Sequence, residues 1–194
     1  MLKVSEMFYS VQCEGASTGV PAVFIRLQGC NLMCGGPDAS LVKEGKATWH
    51  CDSELIWRRG KTMTYREVLN KLEADDPGIV ARIREGLVHI IWTGGEPTLP
   101  HHQKAIMNFI DDFNTEFPQN SMYNEIETNG SIKVSRHMYE GDLNDSPYIQ
   151  QINCSPKLAN SGMAESMRIR SEAIEQIKLH PKGYFKFVIS TEAD

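Results

Sequence analysis

The chain has 194 residues, 41% hydrophobic and 23% charged, with a formal net charge of −5. This length suits one domain with its own core; the hydrophobic share excludes a disordered chain, and the acidic balance excludes the basic footprint of a duplex-nucleic-acid binder. No apolar run approaches the ~20 residues that span a bilayer, and the first residues carry Lys3 and Glu6 without the apolar core of a secretory signal, so the expected location is the cytoplasm and the expected partner a small molecule, with neither nucleic acid nor membrane.

Residues 22–28 form the first predicted strand, closed by Gly29. Residues 35–60 read as an irregular insertion rich in Gly and charge. The amphipathic stretch from Thr64 to Glu73 opens with Thr64 and Glu67 in the spacing of a capping box. Residues 87–93 form a second strand, closed by Gly94 and Gly95, and residues 101–117 set Ile106, Phe109, Ile110 and Phe113 on one helical face. A third strand, 124–128, ends at Asn129 and Gly130. A fourth, 149–154, ends at Ser155 and Pro156. Residues 165–179, with Met167, Ile174 and Ile177, predict a further helix, and 184–190 a fifth strand. Strands alternating with helices specify parallel βαβ units in one α/β domain over 1–194. In such folds ligands lie beyond the carboxyl ends of the strands, where Cys30, Gly94, Gly95, Glu96, Asn129, Gly130 and Ser155 to Lys157 follow. There is no internal repeat.

Five cysteines in a chain without a signal segment argue against a disulfide framework. Cys30 and Cys34 are spaced CxxxC, and sixteen residues later comes Cys51, followed by Asp52 and Ser53. Three soft thiolates on one loop suit an iron–sulfur cluster, and on a four-iron cluster they leave one iron open. Zinc with His50 as the fourth ligand is the alternative, although adjacent residues rarely both reach one tetrahedral metal. Buried free cysteines are the bland reading, and the favoured one for Cys51 taken alone. Cys154, in an apolar strand, reads as core.

Gly29, Cys30 and Cys34, with Thr93 to Pro97 after a strand, resemble the radical S-adenosylmethionine (SAM) superfamily, the third cysteine being displaced by the insertion. Glu6 to Phe8, Gln12 to Gly15, Thr18 to Ala22, Phe24 to Leu27, Cys51 to Ser53, Glu127 to Gly130 and Ser155 to Lys157 resemble one branch of it, the 7-carboxy-7-deazaguanine synthases, from residue 6 to about 190. The resemblance implies a reduced, partial (β/α) barrel, a homodimer and a lyase. The implied reaction contracts the ring of 6-carboxy-5,6,7,8-tetrahydropterin to 7-carboxy-7-deazaguanine with loss of ammonia, in 7-deazaguanine and queuosine biosynthesis, fed by a reductant protein such as flavodoxin. It implies a [4Fe–4S] cluster on Cys30, Cys34 and Cys51, and SAM contacts from His50, Asp52, Gly94, Gly95, Glu96, Glu127, Asn129, Ser155, Pro156 and Lys157. Substrate contacts are implied at Val11, Gln12, Cys13, Glu14, Arg26 and Thr93, and a Mg²⁺ ligand at Ser53, where the family has threonine.

Physical chemistry supports parts of this set. Glycines without Cβ atoms let backbone approach a ligand at 94 and 95; their bland reading is a strand-to-helix turn. Asn129 with Gly130 is otherwise a common turn. Arg26, inside an apolar strand and on one face with Phe24 and Gln28, needs an anionic partner: a ligand carboxylate, bound through two parallel bonds, or Glu14. Magnesium takes hard oxygens and few of them from protein. Two departures stand out. Cys13 occupies a family glycine position, a cost of roughly 1–2 kcal/mol if φ there is positive and none if the backbone is ordinary. The family continues past the fifth strand, so its final strand and carboxyl-terminal tail are expected to be missing here. The rival functions are a radical SAM enzyme acting on another substrate, such as an activase, and an inactive metal-binding protein.

Overall fold

The computed structural model describes residues 1–141, 147–192 and 194. Its strands are β1 (Leu2–Val11), β2 (Pro21–Leu27), β3 (Lys61–Met63), β4 (His89–Gly94), β5 (Asn124–Thr128), β6 (Gln151–Cys154) and β7 (Gly183–Phe185). They form one sheet in the order β3-β1-β2-β4-β5-β6-β7. From β2 to β7 every pairing is parallel, whereas β1 runs antiparallel to both β2 and β3. The helices are α1 (Ser40–Lys43), α2 (Glu54–Trp57), α3 (Tyr65–Asp75), α4 (Ile79–Arg84), α5 (Pro100–Glu116), α6 (Arg136–Glu140), α7 (Glu165–Arg168) and α8 (Ser171–Leu179).

All five predicted strands are present, and the α/β class holds. Two strands escape the periodicity. In β1 the register shifts between Val4 and Glu6, so the period-2 pattern that Leu2 and Val4 begin is broken by a bulge. β3 has three residues, two of them exposed lysine and threonine. The fifth predicted strand ends at Phe185 instead of residue 190; beyond it Asn160 Nδ2 donates to the Val188 carbonyl at 2.8 Å, tying the segment to a loop. The helix expected over 165–179 is two helices, because Ile169 and Arg170 are extended. Met167 is exposed, and only Ala173 and Ile177 of the second helix are buried. The insertion is less irregular than expected, holding α1 and α2. The capping box at Thr64 and Glu67 is formed in both directions.

Strand alternation sorts the two faces of the sheet. Val23, Ile25 and Leu27 of β2, Ile90 and Trp92 of β4, Ile126 of β5 and Ile152 of β6 join the core with Val68, Leu69 and Leu72 of α3 and Ile106, Phe109, Ile110 and Phe113 of α5. Burying one such side chain contributes about 1.5–3 kcal/mol, so this face holds the fold together. The opposite face carries Phe24, Arg26, Thr93, Glu125, Glu127, Gln151 and Asn153, each two residues from a like-facing neighbour or paired with one across the ladder. That polar face positions the site.

Candidate active site

The cysteine loop leaves β2 at Gly29 and is seated by backbone contacts. Gly95 N–H donates to the Leu27 carbonyl at 3.0 Å and Glu96 N–H to the Gly29 carbonyl at 2.8 Å. A Cβ on Gly95 would lie 1.7 Å from the Gly29 oxygen, and Gly94 has φ of 110°. The two glycines therefore let the end of β4 lie against the root of the cysteine loop, a demand of packing as well as of ligand approach. The insertion folds back so that Cys51 N–H donates to the Cys34 carbonyl at 3.0 Å, which returns the third cysteine to the first two.

Two of the three sulfurs have donors or hydroxyls near them. Leu32 N–H lies 3.4 Å and Asn129 Nδ2 3.8 Å from Cys30 Sγ, and Trp57 Nε1 lies 3.4 Å and Ser53 Oγ 3.5 Å from Cys51 Sγ. Burial pushes the Cys30 thiol up to about 12, with the Glu96 carboxylate adding to the rise, and pushes Cys34 up to about 11. Ionising such thiols requires a positive centre among them, and three soft donors, two of them with N–H groups alongside, suit an iron–sulfur cluster. Among the described residues no three His, Cys, Asp or Glu side chains, the loop cysteines included, are already drawn together as a metal-ion ligand set. His50, the fourth ligand of the zinc alternative, is exposed at the rim. Cys13 is exposed and Cys154 is buried against Gly130. Cys13 is not among the residues with positive φ, so its backbone is ordinary and the side chain carries no conformational cost.

Beside this loop opens a cavity of about 670 Å³ at the carboxyl end of the parallel strands. It brings together Cys34 and Cys51 with His50, Asp52, Ser53, Gly94, Gly95, Glu127, Asn129, Ser155 and Lys157, and with Val11, Gln12, Cys13, Glu14, Arg26 and Thr93. Cys30, Glu96 and Pro156 are the expected site residues outside its lining. Glu96 is fully buried. Its carboxylate accepts from Thr98 N–H at 2.9 Å, Thr98 Oγ1 at 2.5 Å, Thr128 Oγ1 at 2.7 Å and Asn129 N–H at 2.8 Å. It thus ties the end of β4 to the end of β5, and burial holds its carboxyl above the usual range. Asn129 Nδ2 donates to Asn31 Oδ1 at 3.0 Å, and Lys157 Nζ to Ser155 Oγ at 2.9 Å.

The other wall is built by β1, β2 and the strand ends. Phe8 and Phe24 stack with centroids 5.0 Å apart and planes 6° from parallel. Arg26 Nε donates to Glu6 Oε2 at 3.2 Å, and its terminal nitrogens have no protein acceptor among the described residues. The structural partner of Arg26 is therefore Glu6, directly across the β1–β2 ladder, and not Glu14. Glu14 pairs with Lys186, while its Oε2 is buried without a hydrogen bond. Glu127 accepts from Thr93 Oγ1 at 2.7 Å and Gln12 Nε2 at 3.3 Å; burial raises its carboxyl above the usual range, and Glu14 adds to the rise.

Sequence reasoning missed Phe8, Ser10, Phe24, Trp49, Trp57, Thr128, Asn153, Lys186 and Val188 in this lining. The tryptophans carried a signal, since they flank Cys51 inside the insertion. Phe8 would have followed from reading β1 as a strand.

No family model matches the chain. It is similar to 7-carboxy-7-deazaguanine synthase of Leptospira interrogans, 27% identical over 98% of this chain and 72% of the relative. The like-named protein of Halobacterium salinarum is 32% identical over 82% of this chain and 47% of the relative, and that of Bacteroides thetaiotaomicron 33% identical over 81% and 62%. The chain thus spans from about half to about three quarters of the relatives' length. The crystal structure of QueE from Escherichia coli matches with a TM-score of 0.58 and 23% identity, over 98% of this chain and 72% of that one, and shares its fold. The resemblance carried by the motifs is borne out along nearly the whole chain.

Proposed function

We propose that this chain catalyses the reaction of the 7-carboxy-7-deazaguanine synthases it resembles: radical SAM ring contraction of 6-carboxy-5,6,7,8-tetrahydropterin to 7-carboxy-7-deazaguanine with loss of ammonia, a lyase step of queuosine and 7-deazaguanine biosynthesis. The observation that carries the reading is a single cavity joining the three-cysteine loop to a wall of paired polar groups. When bound, a [4Fe–4S] cluster with its reductant supplies the electron that cleaves the SAM sulfonium. Cys30, Cys34 and Cys51 would hold that cluster, and their number leaves one metal position for a cosubstrate.

The residues of the chain do the rest. Lys157 offers a cation near Ser155, suited to a carboxylate, and Asn129 is locked by Glu96 and Asn31 where a ribose or amino group would meet it. The free terminal nitrogens of Arg26 suit a carboxylate in bidentate geometry. The stacked Phe8 and Phe24 give a flat apolar surface beside them. Glu127 and the unpartnered Glu14 oxygen present acceptors to the N–H groups of a pterin edge.

Finer features belong to the same proposal. A partial barrel is supported by the parallel run from β2 to β7 with its site at the carboxyl ends. Mg²⁺ binding at Ser53 is supported by a hydroxyl in the cavity lining that makes no helix-capping bond; one protein oxygen with substrate and water oxygens completes such a site. A homodimer is supported by exposed Tyr184, Phe187 and Ile189 at and beyond the β7 edge. A flavodoxin-like reductant meets the need for a low-potential electron, and a cytoplasmic location the need for reduced thiols. Among the described residues no helix is long and apolar enough to cross a membrane.

The test is anaerobic turnover of reconstituted protein with carboxytetrahydropterin, SAM and a reductant. The expected result is the deazaguanine product with equimolar ammonia. SAM cleavage without product would assign a different substrate, and protein lacking iron and sulfide would make it a metal-binding protein without this chemistry.

A further inference from the structure

Beneath the cavity floor lies a carboxylate that the reaction scheme does not use. Glu125 is wholly buried on β5, two residues before Glu127 and on the same face. It accepts from Gln151 Nε2 at 2.9 Å, Asn153 Nδ2 at 3.1 Å and Gln12 Nε2 at 3.4 Å, and its other oxygen lies 2.7 Å from His89 Nδ1. A buried charge is costly unless its lone pairs are filled, and here four side chains from three separate segments fill them.

A carboxylate only accepts, so each amide must turn its NH₂ toward Glu125 and its carbonyl oxygen away. Those oxygens then have fixed tasks. Gln12 Oε1 accepts from Cys13 N–H at 2.9 Å and Glu14 N–H at 3.3 Å, and Gln151 Oε1 accepts from Ser17 Oγ at 3.0 Å. The loop from Gln12 to Ser17 is thereby fastened at both ends, with the backbone donors of Cys13 and Glu14, its cavity-lining residues after Gln12, consumed. What it leaves for the cavity is acceptor character, including the buried, unpartnered Oε2 of Glu14.

We infer that Glu125 is a positioning residue for the substrate loop: through the amides of Gln12 and Gln151 it fixes the hydrogen-bond polarity of residues 12–17 and so selects a ligand edge rich in donors. This rests on the proposed pterin substrate only for the identity of that ligand. An amide in place of the carboxylate would donate as well as accept, leaving the three neighbouring amides free to flip.

The experiment uses the full chain and two readouts. Hydrogen exchange follows the Cys13 and Glu14 amides in the ligand-free protein, and fluorescence titration follows 6-carboxypterin binding. Glu125→Gln should speed exchange at both amides by about tenfold or more and weaken binding by a similar factor. If that variant fails to fold, Glu125→Asp leaves Gln12 and its bonds to the loop in place but draws the carboxylate back from Gln12 and Gln151, and the same two changes are expected in smaller measure. Wild-type exchange and wild-type affinity in a folded variant would overturn the inference. So would a lowered melting temperature with both readouts unchanged, which marks a merely structural carboxylate. Faster exchange in Glu125→Gln, with no 6-carboxypterin binding by the wild-type protein, would uphold the role of Glu125 in the loop and overturn the pterin assignment instead.

Discussion

The cysteine loop and the polar floor face each other across one cavity, yet they are assembled in different ways. The loop draws Cys30, Cys34, Cys51 and Trp57 from fewer than thirty consecutive residues and is closed by short-range backbone bonds such as Cys51 to Cys34. The floor draws Gln12, Arg26, Thr93, Glu127, Asn153 and Lys186 from β1, β2, β4, β5, β6 and the segment after β7, and exists only when the sheet is complete. Damage to the loop should therefore remove one function and spare the fold, whereas damage to the floor should be graded and shared among several partners.

The largest effect is expected at the thiols. Cys30→Ala, Cys34→Ala and Cys51→Ala should each abolish the cluster's visible absorbance and SAM cleavage, with little change in far-UV circular dichroism. Cys13→Ala and Cys154→Ala should keep a full cluster, because one thiol is exposed at the rim and the other lies in the core. A full iron complement in Cys51→Ala would break the division between loop and floor, since the loop would then need no return of its third cysteine.

That contrast also explains what could be read in advance. The loop was legible because its ligands lie close together in the chain and bring their spacing with them. Seventeen of the twenty expected site residues line the cavity, since special residues at strand ends converge in any parallel sheet. The ion pairs were not legible. The sequence offers Arg26 a ligand carboxylate or Glu14, but a cross-strand partner is visible only once both strands are known, and the bulge in β1 hides Glu6. Lys186, 172 residues from Glu14, left no local pattern at all. The break at Ile169 and Arg170 was hidden for a related reason: Met167 looked apolar and periodic, yet nothing in the sequence says that its turn has no surface to bury against.

The next largest effect concerns the root of the loop. His102 on α5 is buried and its Nε2 donates to the Gln28 carbonyl at 2.8 Å, just before Gly29. Burial lowers its pKa to about 4 from the ordinary 6.5. Below pH 6.5 the unfolded chain takes up a proton that the folded chain refuses, so stability is complete above that pH and is lost as pH falls toward 4. The loss attributable to this group approaches about 3 kcal/mol at the acid end. Denaturant midpoints at pH 7.5 and pH 4.5 should differ by less in His102→Gln than in the wild type. Equal pH dependence in the two proteins would show that His102 is protonated in place and does not brace the loop as a neutral donor.

On the floor, Arg26→Ala should weaken binding of 6-carboxypterin by about tenfold to a hundredfold, the range for hydrogen bonds to charged groups. Its stability cost should stay within about 1 kcal/mol, because the Glu6 partner is 40% exposed and such pairs are weak. Arg26→Lys should recover charge but not the fork, and should restore little affinity. Titrations and melting temperatures on the same variants separate the two roles. A large drop in melting temperature with unchanged affinity would move Arg26 from the floor's binding function to the sheet's own stability.

Ser53 tests the boundary between the two regions with the smallest expected stability change. It stands at the N-cap of α2, a position where a serine side chain ordinarily accepts from the helix and where its loss costs about 0.5–2 kcal/mol. Here no such bond forms; the hydroxyl lies 3.5 Å from Cys51 Sγ and lines the cavity. Ser53→Ala should therefore leave the melting temperature within the range of a neutral surface change, about 0.5 kcal/mol, and should keep the cluster. What it should change is the Mg²⁺ dependence of pterin binding, since magnesium accepts a hydroxyl oxygen and has no use for a methyl group. Ser53→Thr, which keeps the oxygen and restricts its rotamers, should retain or steepen that dependence. A Mg²⁺ titration unchanged in Ser53→Ala would return this hydroxyl to the cysteine loop as a neighbour of Cys51 alone, and the floor would then bind its carboxylate through Arg26 without a metal.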